Sequence, residues 1–201
     1  DSSAINVGSF DERTIAFWFQ AEDPTRAGKQ VLFEEGGSTR GLNLYLESGI
    51  LYIGGWNNNE NGWDETFLTT PVSGTDWHHV ALVLDAPDTT DGDFVAYLDG
   101  FEVARGACAT INSHSADNAI GAKRDATRYH DGNSSGSGDG FEGLVDEFHL
   151  WNRALTATEI GQLFAGQSEV GAELTLTTGA AGTEAIVIPD SVGLVLDGSG
   201  T

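Results

Sequence analysis

Short apolar runs with a two-residue period, each closed by glycine or by a Ser-Gly or Asp-Gly pair, recur along most of this chain. In residues 41–47, Leu42, Leu44 and Leu46 fall on one side and Asn43 and Tyr45 on the other, the alternation of a strand. Ser48-Gly49 turns that run back into residues 50–55, and Asp99-Gly100 joins 94–98 to 101–104 by a two-residue hairpin turn. Residues 77–85 are apolar on both faces, which predicts a central strand. Residues 14–20, 30–35, 119–122 and 143–151 read as further strands. With 27 glycines against 4 prolines, the pattern predicts an all-β chain, a sandwich or a barrel.

One helix is expected over residues 157–164. Thr156 and Glu159 form a capping box, Ile160, Leu163 and Phe164 supply the apolar stripe, and Gly166 stops it. Beyond it the composition shifts to Thr, Gly, Ala and Val, with strand-like stretches at 173–177 and 185–188 and a turn at Pro189-Asp190. The domain is therefore drawn at residues 1–170. Residues 171–201 complete the sandwich or lead into the next module.

Thirty-one acidic residues face nine basic ones, a formal net charge of -22. Such a surface repels phosphate backbones and anionic lipid, so neither nucleic acid nor a membrane surface is an expected partner. No apolar run approaches the ~18 residues that cross a bilayer, so direct membrane insertion is not expected either. The single cysteine, Cys108, forms no intrachain disulfide and reads as a small buried side chain. The chain carries no methionine and begins Asp1-Ser-Ser, and it reads as a monomeric domain cut from a longer protein.

The order of motifs adds a resemblance. Trp77-His-His-Val-Ala-Leu-Val-Leu-Asp85, then Tyr97-Leu-Asp-Gly100, Ile120-Gly-Ala122 and the stretch 141–155 with Glu159-Ile160 resemble the bacterial laminin-G-like domains, which share the concanavalin A-like jelly roll with pentraxins. Residues 31–37, Arg40-Gly-Leu-Asn43 and Gly54-Gly-Trp-Asn57 resemble a subgroup found in large secreted or surface proteins, often adhesins. The resemblance runs from about residue 4 to residue 165. It implies an antiparallel two-sheet jelly-roll sandwich with one short helix, and an extracellular or cell-surface location. It says little of the ligand, because one fold hosts many functions.

Glycosidases on this jelly roll carry a Glu-x-Asp-x-x-Glu pattern on one strand, and this chain has none. Its nearest groups are Glu60 with Asp64-Glu65 and Glu142 with Asp146-Glu147; strand alternation puts Asp146 on the side of Phe148 and Leu150, and Glu147 with His149 on the other. No serine sits in a nucleophile elbow, and the histidines lack metal-protease spacing. The chain is therefore read as no enzyme. For metal, Asp125, Asp131 and Asp139 lie in one glycine-rich loop, 123–140, and offer the hard oxygens that Ca²⁺ takes. The pentraxin resemblance puts Asp125 and Asp139 at calcium-loop positions, whereas Thr39 and Arg40 depart from the Asp-Asn of the other contributing loop. Residues 85–93 form a second, weaker acidic loop. Asp146, on an apolar strand face, would need donors or a cation.

For ligand contact, Trp56 and Trp63 bracket Asn57, Asn58, Asn59 and Asn61 in a loop expected at the surface. Indole faces stack on sugar rings and amides bond sugar hydroxyls in either sense. One of the two tryptophans is expected to tuck under the sandwich edge. Arg40, Tyr129 and His130 add polar and aromatic tips, with Arg40 pairing to Glu34 or Glu35 as the structural alternative. The leading reading is a calcium-binding, lectin-like adhesion module whose partner is a glycan on a cell or matrix surface. A protein- or peptide-binding laminin-G-like module, a spacer, and a glycoside hydrolase relative are the alternatives.

Overall fold

The computed structural model describes residues 8–87, 92–114 and 116–166. The stretch drawn as 171–201, and Asp88 and Asp91 of the second acidic loop, lie outside the described residues. Strands β1 (Glu12–Ala21), β6 (His78–Asp85), β7 (Gly92–Leu98), β8 (Phe101–Cys108) and β12 (Gly143–Trp151) form one antiparallel sheet in the order β12-β1-β6-β7-β8. Strands β2 (Gln30–Gly36), β3 (Gly41–Glu47), β4 (Ile50–Glu60), β5 (Trp63–Pro71) and β9 (Asn118–Ile120) form the other, in the order β5-β4-β3-β2-β9. A small hairpin of β10 (Thr127–Tyr129) and β11 (Gly132–Ser134) and one helix, α1 (Ala157–Phe164), complete the described elements.

The alternation read from sequence decides the layers. Leu42, Leu44 and Leu46 of β3 meet Ile15, Phe17 and Phe19 of β1 and Val80, Leu82 and Leu84 of β6 in the core between the sheets. Each such side chain, fully buried, contributes about 1.5–3 kcal/mol. The outer face of the first sheet carries Ala16, Ala81, Val83 and Tyr97, and α1 covers it with Ile160. The capping box expected at Thr156 and Glu159 is present. The outer face of the second sheet is covered by the β10–β11 hairpin: Tyr129 packs on Tyr45 and Val31, and Asn43 donates to the Arg128 carbonyl at 2.7 Å. Both hairpin turns read from sequence use left-handed backbone, at Ser48-Gly49 and Asp99-Gly100.

Three features depart from the sequence reading. The stretch 56–63 is no loop: β4 runs on to Glu60 and returns at once in β5. Strand β5 lies at the edge of its sheet, where exposed Asp64 and Glu65 blur the apolar period. Asp146 does not lie on the apolar face of β12. The β1–β12 register slips between Ala16 and Trp18, and Glu147 takes φ 49°. This bulge turns Val145, Phe148 and Leu150 onto the core and leaves Asp146 exposed.

Candidate functional site

Three connections meet at one end of the second sheet: the β2–β3 turn, the β4–β5 turn, and the segment that follows β8. Between them opens a pocket of about 520 Å³, lined by the turn residues Gly37 to Arg40 together with Ser113, His114, Ala116 and Ala126. Trp56 fixes the β2–β3 turn from below. Its ring is fully buried against Phe67, and its Nε1–H donates to the Gly37 carbonyl at 2.8 Å. Gly55 makes room for the second indole, since a Cβ there would sit 2.9 Å from Trp63.

Asn57 latches the β4–β5 turn to the segment after β8. Its amide donates to the Thr110 carbonyl at 3.0 Å, and its side-chain oxygen accepts the Asn112 amide at 3.2 Å. Glu60 accepts from the Asn112 side chain and from the Arg40 guanidinium, and these two partners hold its carboxyl below the usual range. Arg40 also donates to the Ser113 carbonyl at 3.1 Å, so it pairs with Glu60 instead of Glu34 or Glu35.

His114 is the unusual member. Its side chain is only 4% exposed, yet neither ring nitrogen has a hydrogen-bond partner. Native proteins satisfy most buried polar atoms, so an imidazole without a hydrogen-bond partner in a pocket wall is an exception. Nε2 lies 3.7 Å from Glu35, whose carboxylate is taken by Arg13 at 2.7 Å. Arg40 Nε is likewise unpartnered. Beside the pocket, burial pushes the Glu34 carboxyl up to about 7, against the lowering bond from the Arg124 backbone N–H.

The residues expected to touch ligand divide. Arg40 lines the pocket. Trp56, Asn57 and Trp63 are buried framework beneath it, which corrects the expectation of an exposed Trp/Asn loop; both indoles tuck in, where one was expected to. Asn59 is exposed at the turn with φ 61°. Tyr129 is buried, and His130 stacks on Tyr52 at 4.3 Å over the outer face of the second sheet; neither lines the pocket. Ser113 and His114 went unread because residues 109–117 carry no strand or helix period.

The expected calcium site is not assembled. Asp139 is held by Lys123 Nζ at 3.0 Å and by the Tyr129 hydroxyl at 2.7 Å. Burial alone would raise its carboxyl; these two donors outweigh that and lower it. Asp131 pairs with Lys29 at 2.8 Å, and Asp125 is exposed. The described residues contain no group of three or more His, Cys, Asp or Glu able to hold a metal ion. Lysine ammoniums occupy two of the three carboxylates, Asp131 and Asp139, and the third, Asp125, stands exposed apart from them, so these residues do not fit the ion.

The family model described as the concanavalin A-like lectin/glucanases superfamily matches residues 2–161. The chain belongs to this superfamily. Among curated proteins none matches it. Among solved structures it resembles a native heptameric SAP-like pentraxin from Limulus polyphemus, with 16% identity, a TM-score of 0.53, and coverage of 78% of this chain and 71% of that one. It also resembles the botulinum neurotoxin serotype G binding domain, with 15% identity, a TM-score of 0.56, and coverage of 84% of this chain and 39% of the other. A third is the binding domain of botulinum neurotoxin DC in complex with SialylT, with 13% identity, a TM-score of 0.52, and coverage of 79% and 36%. These similarities concern the fold. The chain spans less than half of either neurotoxin domain. No helix among the described residues is long and apolar enough to cross a membrane.

Proposed function

We propose that this chain is a non-catalytic, lectin-like adhesion module of a larger extracellular protein, and that its glycan sits in the pocket of Arg40, Ser113 and His114. The observation that carries the reading is the orphan imidazole of His114 in that wall, next to the unpartnered Arg40 Nε. The imidazole nitrogens can bond a sugar hydroxyl, and the Ser38, Thr39 and Ser113 hydroxyls, each donor and acceptor, line the same pocket. One structure of similar fold, of which this chain spans 36%, is a neurotoxin binding domain in complex with SialylT. The reading without catalysis is supported by the outer face of the second sheet, which the β10–β11 hairpin fills instead of leaving a cleft flanked by two carboxylates. Binding at this pocket is proposed to need no Ca²⁺, because Lys123 and Lys29 already neutralise Asp139 and Asp131.

Each hydroxyl exchanges water for protein with little net gain, so single-site affinity is expected at micromolar or weaker, with many copies supplying avidity. A glycan array probed with the intact chain, with and without chelator, tests this. The expected result is saccharide binding that chelator leaves unchanged and that His114→Phe, which keeps a ring but removes both nitrogens, abolishes. Capture of a protein or peptide with no saccharide bound, or full binding by His114→Phe, overturns it.

A further inference from the structure

We propose a second site on the opposite sheet, a cleft that takes a quaternary ammonium group between the indoles of Trp18 and Trp77 and the carboxylates of Asp146 and Glu147. These four residues line a cleft of about 260 Å³ on the outer face of the first sheet. The site is independent of the glycan pocket and shares no residue with it.

The walls are aromatic and one of them is rigid. Trp18 is clamped by Phe164 of α1, stacked at 5.6 Å, and by the His79 ring, edge-on at 5.3 Å. Trp77, just before β6, is 40% exposed. The carboxylates share the cleft because of the bulge in β12. In a regular strand, successive side chains point to opposite faces, so Asp146 and Glu147 would part company. Here the Asp146 carboxylate accepts the Glu147 amide at 2.8 Å, Glu147 adopts φ 49°, and both residues line the same cleft.

The charge is uncompensated. Among the described residues, neither carboxylate has an ion-pair partner, and neither is among the residues with further unnamed interactions. The surrounding imidazoles do not supply one. His78 is paired to Asp99, His149 Nδ1 bonds the Glu147 carbonyl and its ring stacks on Trp151, and burial keeps His79 neutral by pushing it down to about 4. Two negative groups beside two indoles attract a cation through charge and, over a ring face, through the ring quadrupole. A primary ammonium is a compact, strongly hydrated charge that gives up water reluctantly. A quaternary ammonium has an apolar coat that suits the indoles, and its diffuse charge answers the carboxylates. A neutral polyol would leave both carboxylates uncompensated. The net charge of -22 further concentrates cations at this surface.

Tetramethylammonium, titrated into the intact chain at low salt with the indole N–H resonances read by NMR, tests the proposal. The resonances of Trp18 and Trp77 are expected to shift saturably while those of buried Trp56 and Trp63 stay in place. Glu147→Gln, an exposed and conservative change, is expected to weaken binding by at least about tenfold, as is Trp77→Leu. Neopentyl alcohol, of nearly the same shape without the charge, is expected to bind at least about tenfold more weakly. The proposal is overturned if Trp18 and Trp77 do not respond, if the neutral alcohol binds as well, or if Glu147→Gln binds as before. The alcohol comparison needs no variant and decides the matter even if a substitution fails to fold.

Discussion

Lys123 Nζ lies 3.0 Å from the Asp139 carboxylate, with the Tyr129 hydroxyl on the same oxygen at 2.7 Å. A lysine that is only 5% exposed thus occupies the position at which the loop sequence suggests Ca²⁺. An internal ammonium does what a bound ion would do there: it neutralises a half-buried carboxylate and ties two parts of one loop together. The melting temperature is expected to be the same in Ca²⁺ and in chelator, since an ion that does not bind the folded state cannot shift it by mass action. Lys123→Met is expected to destabilise by about 1–3 kcal/mol, because it strands Asp139 with one donor fewer. A rise in melting temperature on adding Ca²⁺ to the unaltered chain would sink this account.

Trp56 and Asn59 separate framework from surface. Trp56 is fully buried and supports the turn that carries Arg40, so Trp56→Ala is expected to cost about 3–5 kcal/mol and to loosen the pocket with the fold. Asn59, exposed at the tip, is expected to tolerate Ser within about 0.5 kcal/mol. Urea denaturation of the two variants checks this; comparable costs would show that the indole does not carry the turn.

The contrast between these residues marks what the sequence discloses. The strands of the two sheets were legible where a period-two pattern met a sharp turn, as in β3 with Ser48-Gly49 and β7–β8 with Asp99-Gly100. The helix was legible from its capping box. Asp146 was misplaced because alternation counts every residue once, whereas a bulge adds one and reverses the facing of those before it. The asparagine-rich stretch looked like a loop because its side chains are polar. Those amides in fact bond backbone carbonyls across the end of the sandwich, as Asn57 and Asn61 do at Thr110. His114 carried no local signal, since what makes it notable is a lack of partners that only the surrounding fold defines.

Glu34 gives a pH dependence with a definite sign. Burial raises its folded-state pKa from the ordinary 4.5 to about 7. The folded chain therefore holds this proton more tightly than the unfolded chain. The stability so gained is complete below about pH 4.5 and is lost as the pH rises through about 7. His79 works the other way: depressed from 6.5 to about 4, its contribution is present above pH 6.5 and is lost as the pH falls through about 4. Comparing the unaltered chain with Glu34→Gln isolates the first effect. The Gln variant is expected to gain stability relative to the unaltered chain between pH 5 and pH 8, by up to about 3 kcal/mol. A difference that stays constant across that window would show that Glu34 ionises normally.

Arg13 and Glu35 form the ion pair behind the pocket wall, with side chains 4% and 0% exposed and the guanidinium also lying over the Phe10 ring at 3.6 Å. Burying two charges costs nearly what their attraction returns, so the pair as a whole adds little, but either partner alone is costly. Arg13→Met is therefore expected to destabilise by about 3–5 kcal/mol, because it leaves the Glu35 carboxylate buried and unpaired. Adding Glu35→Gln in the same chain is expected to recover a large part of that loss, since the remaining amide is neutral. The same comparison reaches the pocket, since His114 Nε2 lies 3.7 Å from the Glu35 carboxylate. If the double variant is no more stable than Arg13→Met, the loss comes from packing over Phe10 and the charge argument for this wall is wrong.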